Sequence, residues 1–396
     1  MIALFLSPLY VLGNIYVCLR TLQWLAACSK KTKTPVFRTV FIILYVCLAA
    51  SIGLAFILPH SSFQRIIARI STYWFGIILY ILLVLGVAEL IRFLLKITRA
   101  VPAETLSSRK AFAITGFVCV ITIAAISLYG VYSATHVVDT FYKVDIDKDG
   151  GKLDKLNIAL VADLHLGYTI GSDMMRQMVE KVNAQSPDII LIAGDIFDND
   201  YDAIENPEEL IHILSGLQST YGTYAVYGNH DSAEKILAGF TFPSSEKKMS
   251  DPRMDDFLER ANIQLITEET LLIDDSFYLV GRADEERPGR NVDKRKTPQE
   301  IMDALDSSKP VIVMEHEPKF LQEIDDAGID LHLCGHTHDG QTFPANLTTH
   351  LVWENSAGYL KKDYMQSIVT SGVGLFGPNM RVGTRSEVVH IEVSFN

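Results

Sequence analysis

Residues 156–165 read Leu156-Asn-Ile-Ala-Leu-Val-Ala162-Asp163-Leu-His165, an apolar run that stops on a carboxylate and an imidazole two positions apart. A short apolar run bounded by polar residues reads as a buried strand. The pattern recurs four times. Ile189–Ala193 leads into Gly194-Asp195-Ile-Phe-Asp198, and Thr223–Tyr227 into Gly228-Asn229-His230-Asp231. Val311–Met314 leads into Glu315-His316-Glu317-Pro318, and Asp330–Cys334 into Gly335-His336-Thr337-His338. Amphipathic segments Asp173–Asn183, Pro207–Leu217, Pro252–Ala261 and Pro298–Leu305 lie among the runs, and three of them open on a proline that a first helical turn tolerates. Strands alternating with helices predict an α/β layered domain. Ligands of open α/β sheets bind beyond the carboxyl ends of the strands, so five strand ends should deliver these polar side chains to one edge. Spacing i, i+2 just past a strand predicts that Asp163 and His165 point the same way, and likewise His336 and His338.

The residue types set the chemistry. Oxygen donors (Asp163, Asp195, Asn229) mixed with imidazoles (His165, His316, His336, His338), and no thiolate, suit Mn, Fe, Zn or Co. Seven donors exceed one tetrahedral ion and match two divalent ions sharing a carboxylate. Such a pair stabilises the entering and leaving oxygens of an in-line displacement at phosphorus and holds a hydroxide at neutral pH.

Asp163-x-His165, Gly194-Asp195-x-x-Asp198, Gly228-Asn229-His230-Asp231, His316 and Gly335-His336-x-His338 together resemble the signature of the calcineurin-like metallophosphoesterases. The resemblance covers residues 156–396 and implies an α/β/β/α sandwich of two sheets flanked by helices. It implies one metal on Asp163, His165 and His338, and a second on Asn229, His316 and His336, with Asp195 bridging. His230 would meet the phosphate and assist the leaving oxygen, oriented by Asp198. The stretch from Thr370 to Glu387 is similar to a membrane-anchored bacterial branch whose members include UDP-diacylglucosamine pyrophosphatases. Asp339 departs from the glycine usual after the last histidine and adds negative charge near the metals. Arg381 is the candidate for a substrate-binding cation, with a surface ion pair as its alternative. His332 reads as packed within a strand, and Arg282–Arg295 as an exposed loop with a substrate-gating role in view.

The 396 residues divide into two chemically different parts. Residues 1–135 hold 12 basic and 2 acidic residues, a balance of +10, against 23 basic and 45 acidic afterwards, a balance of −22. An acidic domain without clustered Lys and Arg argues against nucleic acid as a partner. Four apolar stretches, Ile2–Leu19, Phe41–Leu58, Tyr73–Leu95 and Phe112–Tyr132, reach or approach the roughly 20 residues that a membrane-spanning helix requires. Pro8 and Asn14 interrupt the first, and Glu89 sits inside the third as a functional carboxylate or a partner for a neighbouring helix. Basic loops after the first stretch (Arg20, Lys30, Lys31, Lys33, Arg38) and the third (Arg92, Lys96, Arg99, Arg109, Lys110) belong in the cytoplasm. Four crossings then return the acidic domain to the outside. Asp145–Gly150 opens like a calcium loop, but Leu156 stands where the bidentate Glu is needed.

The expected organisation is a transmembrane region at 1–135, a linker at 136–155 and a metallophosphoesterase domain at 156–396. The expected function is a membrane-anchored, dinuclear-metal phosphohydrolase. It would cleave phosphate ester or pyrophosphate bonds of a phosphorylated small molecule or lipid-linked substrate at the cell membrane. A UDP-sugar-lipid pyrophosphatase and a non-catalytic metal-binding sensor or interaction module stand as alternatives.

Overall fold

The computed structural model describes residues 2–234, 236–237, 240–241, 249–288, 292 and 294–396, with side chains omitted at 2–6, 236–237 and 240–241. The chain forms two units. One comprises Met1–Tyr132, Ile236–Pro243 and Gly377–Met380, and the other Ser133–Lys235, Ser244–Phe376 and Arg381–Asn396.

The first unit is built from α1 (Ile2–Cys28), α2 (Pro35–Ile57), α3 (Ser62–Ile97), the short α4 (Ala103–Ser107) and α5 (Arg109–Thr135). Four of these are long and apolar enough to cross a membrane. Starts are set by capping. The Thr34 hydroxyl accepts from the Phe37 N–H ahead of Pro35, and the Ser61 hydroxyl accepts from the Gln64 N–H at 3.1 Å. Asn14 does not interrupt α1, because its amide donates to the Tyr10 carbonyl at 2.8 Å and accepts from the Tyr45 hydroxyl at 3.1 Å. Trp74 donates to the Tyr10 hydroxyl, which donates to the Ala49 carbonyl. Glu89 is ion-paired with Arg20. The intervening residues Ile236–Leu237 (β5) and Phe240–Thr241 (β6) pair as a hairpin.

The second unit holds two six-stranded sheets. Its strands are β1 (Val137–Ile146), β2 (Lys155–Val161), β3 (Ile189–Ala193), β4 (Thr223–Val226), β7 (Ile263–Leu265), β8 (Glu269–Ile273), β9 (Phe277–Gly281), β10 (Val311–Met314), β11 (Leu331–Cys334), β12 (Gly358–Lys361), β13 (Gln366–Val369) and β14 (Ser386–Phe395). Strand order is β1-β14-β2-β3-β4-β7 in the first sheet and β12-β13-β11-β10-β9-β8 in the second. Helices α6 (Ser172–Ala184), α7 (Pro207–Leu214), α8 (Pro252–Arg260), α9 (Pro298–Met302), α10 (Leu321–Asp326) and α11 (Ala345–Val352) complete the unit.

Side-chain alternation dictates the layering. Ile158 and Leu160 of β2 join Leu191, Leu279, Ile312 and Leu333 in a core between the sheets. Their neighbours Ala159 and Val161 face outward with Ile190 and Ile192, against Met175, Leu214 and Phe257 of the first helical layer. Val280, Val311 and Val313 of the second sheet pack against Ile301 and Ile324 of α9 and α10. The result is an α/β/β/α sandwich. Parallel register (Val161↔Ile192, Ala193↔Val226, Met314↔Leu333) brings the carboxyl ends of β2, β3 and β4, and of β10 and β11, to a common edge of their sheets.

One stretch departs from the sequence reading. Residues 137–146, expected within a linker, form β1, which pairs along its whole length with β14, so a single residue separates α5 from the sheet. The alternating pattern of 137–146 was masked by Asp139, Thr140, Lys143 and Asp145, of which Lys143 and Asp145 share the exposed face of this edge strand with Phe141.

Candidate metal centre

The five strand ends converge. Asp163, His165 and His338 form one group, and Asp195, His316 and His336 a second, each with ligand atoms within 4.8 Å of one another. In the first, His165 Nε2 lies 3.0 Å from His338 Nε2, and His338 Nε2 3.4 Å from Asp163 Oδ1. In the second, His316 Nε2 lies 3.1 Å from Asp195 Oδ2 and 3.2 Å from His336 Nδ1, which is 3.0 Å from Asn229 Oδ1. Asp195 Oδ2 also lies 3.7 Å from His165 Nε2, so one oxygen faces both groups. Its other oxygen accepts the His230 backbone N–H at 2.8 Å, which fixes the carboxylate plane.

Backbone conformation, rather than strand alternation, aims these groups. Asp163, His165, Asp195, His336 and His338 all have φ between +46° and +75°. For residues with a Cβ this left-handed region costs roughly 1–2 kcal/mol each. The expectation that i, i+2 spacing past an extended strand aligns the pairs is therefore replaced by successive left-handed turns. Close approach does the rest. A Cβ on Gly194, itself at φ +82°, would lie 2.6 Å from His316 Nδ1, and one on Gly335 would lie 2.6 Å from Asp163 Oδ2.

Two imidazole lone pairs facing each other at 3.0–3.2 Å repel unless a proton or a cation lies between them. Burial holds His336 and His338 well below the usual imidazole range, which favours neutral rings with free lone pairs. Ring orientation is preset at His316, whose Nδ1 bonds the Ala193 carbonyl at 2.8 Å and leaves Nε2 for a ligand. Burial, with Asp195 in the same pocket, pushes Asp163 up to about 6 against the opposing charge of His316 and His165. The residues present thus fit divalent metal.

His230 and Asp198 flank the first group. Asp198 Oδ1 lies 3.6 Å from His230 Nδ1 and 3.7 Å from His165 Nδ1. It therefore addresses two imidazoles, where the sequence pointed to one. Burial opposes its charge, yet His165 and His230 hold the carboxyl well below the usual range. Asp231 closes the same loop by accepting from the Phe197 and Gly228 N–H groups at 2.8 and 2.7 Å.

Arg381 lies inside the fold and makes no surface ion pair. It is fully buried, and its Nη2 donates to the Ser371 and Gly374 carbonyls at 2.7 and 2.8 Å. Those bonds brace the loop whose Val373 and Gly374 N–H groups donate to the Ala162 and Asp163 carbonyls. Nor are the ends of the Arg282–Arg295 segment free: Arg282 and Arg295 both pair with the buried Glu315, which also bonds His332 at 2.9 Å. Its residues 289–291 and 293 lie outside the described residues. Asp339 is matched by His350 Nε2 at 3.0 Å.

Two aromatic neighbours escaped the sequence. Phe376 stands beside His165, His230 and His338, with ring centroids 6.2, 5.1 and 6.3 Å away. Gln341 holds it by accepting its N–H and donating to its carbonyl. Trp353 meets His336 edge-on at 5.2 Å. No motif announces either, since both reach the site from distant chain positions.

Residues 156–340 match the model of the calcineurin-like phosphoesterase family. The chain carries a calcineurin-like phosphoesterase domain. It is similar to a transmembrane protein with metallophosphoesterase domain from Danio rerio, at 26% identity over 98% of this chain and 88% of that protein. A metallophosphoesterase of Helicobacter pylori strain J99 is 32% identical over 61% of each chain. The UDP-2,3-diacylglucosamine pyrophosphatase of Chlamydia trachomatis is 24% identical over 50% of this chain and 68% of that one. The phosphoesterase domain thus occurs in relatives with and without the helical unit's counterpart in the aligned region.

Proposed function

We propose that this chain is a membrane-anchored, dinuclear-metal phosphohydrolase that cleaves phosphate ester or pyrophosphate bonds of lipid-linked or membrane-proximal substrates. The observation that carries it is the position of Asp195 Oδ2, 3.1 Å from His316 Nε2 and 3.7 Å from His165 Nε2. Asp163, His165 and His338 would hold one divalent ion and Asn229, His316 and His336 the other, with Asp195 common to both. When bound, such a pair supplies charge neutralisation at the phosphoryl oxygens and an acidified water.

The chain's own residues do the rest. His230, beside the first group but outside it, presents an imidazole to the leaving oxygen and hands it a proton. Asp198 orients that ring from its Nδ1 side. Phe376 walls the same flank and excludes water. Arg381 acts at one remove, by holding the backbone against which Asp163 is set.

The basic loops support an extracytoplasmic domain, and a reporter fused to the C-terminus reads the side. Nucleotide-sugar lipids are cytoplasmic intermediates, so cytoplasmic reporter activity would favour the pyrophosphatase reading, which draws on the chlamydial relative alone. The central test is metal analysis with hydrolysis of a panel of phosphomonoesters, diesters and pyrophosphates by the native chain and by Asp195→Ala. The native chain is expected to carry two metals and turn over at least one class. Asp195→Ala is expected to lose turnover and bound metal together. Full activity with both metals retained would overturn the assignment.

A further inference from the structure

Helix α11 leaves the metal-centre loop and returns to it. At its start the turn His338–Gly340 leads into Phe343 and Pro344, and at its end Trp353 meets His336. Half-exposed His350 lies toward the site, with Nε2 3.0 Å from Asp339 Oδ1 and Nδ1 2.7 Å from the Ser356 hydroxyl. The outer side of α11 is apolar. Leu347 and Leu351 stand at i, i+4, which puts them on one row of the helix surface, and Phe343 lies in the turn just ahead of it. Phe343, Leu347 and Leu351 are 44%, 55% and 86% exposed, and Val352 is 76% exposed. Leu351 and Val352 are the two most exposed large apolar side chains among the described residues of the phosphoesterase unit. From Gln341 to Trp353 there is no Asp, Glu, Lys or Arg, within a part of the chain that is strongly acidic. The Thr348 and Thr349 hydroxyls turn back onto the Ala345 carbonyl at 2.7 and 3.0 Å, so this face presents few groups that require water.

We propose that residues 343–353 are a membrane-surface anchor, whose exposed Leu347, Leu351 and Val352, with Phe343 in the preceding turn, enter the headgroup–acyl boundary of the bilayer and present the metal centre to phosphate groups at that depth. An exposed apolar patch marks either a protein or a membrane partner. Three observations favour the bilayer. Aromatic residues bracket the patch at both ends, the arrangement that suits an interfacial element. The patch carries no charge with which to specify a protein partner. Only residue 136 separates the membrane-capable α5 from β1, so the chain enters the domain directly from a membrane-capable helix. Four side chains would bind a free membrane weakly, but the tether raises the local concentration enough for a weak contact to be occupied. The docking stands independently of catalysis, whereas the substrate class it implies, a phosphoester in the headgroup layer, rests on the phosphohydrolase reading above.

The experiment uses the full chain in phosphatidylcholine vesicles. Trp24→Phe with Trp74→Phe leaves Trp353 as the sole tryptophan of three. Acyl-chain-brominated lipid is expected to quench it about twofold, as suits an interfacial residue. Quenching no greater than in unbrominated vesicles would overturn the anchor. Leu347→Ser with Leu351→Ser is expected to relieve that quenching. It should also slow hydrolysis of phosphatidic acid in the vesicles about tenfold, while p-nitrophenyl phosphate turnover stays within about twofold. Equal loss on both substrates, or a native dimer that the serine pair dissolves, would also overturn the anchor and make the patch a structural or protein-binding face. Failure of the native chain to hydrolyse either substrate would count against the phosphohydrolase reading, and the quenching result would still decide the docking.

Discussion

Buried polar groups occur in both units, but they are arranged in opposite ways. In the helical unit they close on one another: Trp74 to Tyr10, Tyr10 to a carbonyl, Tyr45 to Asn14, with the half-exposed Arg20 and Glu89 paired beside them. Each of these donors finds an acceptor, as a hydrocarbon surrounding favours, and Gln64 Oε1 and Ser127 Oγ are the buried side-chain atoms of the described helical unit left without a partner. At the strand ends of the phosphoesterase unit, ring nitrogens instead face ring nitrogens at 3.0 and 3.2 Å, and His165 Nδ1 and His230 Nδ1 have no hydrogen-bond partner. A polar cluster that satisfies itself holds helices together. One that converges without satisfying itself is built around something else, and its unmet valence is the signature of function.

The sharpest way to break that contrast is to fill or empty the second cluster. Mn or Zn added to the stripped full chain is expected to raise the unfolding temperature of the phosphoesterase unit in proportion to log metal concentration, because an ion that binds only the folded state stabilises by mass action. Turnover should return with it. A site occupied at about a thousand times its dissociation constant would contribute about 4 kcal/mol. An unfolding temperature indifferent to metal would mean that the convergent imidazoles are compensated by protons and that the two clusters do not differ in kind.

A third cluster tests the contrast at smaller amplitude. Glu315, buried one residue before His316, is a self-satisfied group inside the phosphoesterase unit, paired with Arg282 at 2.7 Å, with Arg295 and with His332. Burial alone would raise its pKa, but Arg282 and His332 hold it at about 2, against 4.5 for a free glutamate. The folded value is the lower one, so the stabilisation is fully present above pH ~4.5 and is lost as pH falls toward about 2. Glu315→Gln should cost about 3 kcal/mol at neutral pH, part of it from leaving Arg282 buried and unpaired. The gap between native and variant melts should close with acid. A gap that stays constant down to pH ~3 would show that the pair contributes nothing through its charge.

The sequence revealed the two kinds of cluster unequally. Strand ends carrying Asp163, Asp195, Asn229, His316 and His336 were legible because a local signal, an apolar run ending in ligand-type residues, fixes each one. β3 and β10 have the bounds the apolar runs suggest. β1 was not legible, because it is held by ladder bonds to β14 some 250 residues away and its exposed face carries the charged Lys143 and Asp145. Phe376, Gln341 and Trp353 were invisible for the same reason. The burial of Arg381 was not legible, because an arginine among glycines near a phosphate site suggests a phosphate contact. Only the fold shows that this side chain is fully buried, with Nη2 donating to the Ser371 and Gly374 carbonyls.

The smallest effect belongs to the ion pair of the helical unit, and it separates structural from functional use of an intramembrane carboxylate. Arg20 and Glu89 are only partly shielded by protein, at 24% and 43% side-chain exposure, and they sit about two turns from the ends of α1 and α3. Charges at that depth reach the interface and cost less than at the bilayer centre. Glu89→Leu should therefore destabilise the helical unit by only about 1 kcal/mol, by leaving Arg20 without its counter-charge. Arg20→Leu combined with Glu89→Leu should recover most of that loss, since removing both partners of a pair leaves no orphaned charge. Phosphoester turnover should be unchanged in both variants. Were the double variant to melt like the native chain yet lose turnover, Glu89 would serve catalysis or transport rather than packing, and the self-satisfied cluster would have to be counted with the functional ones.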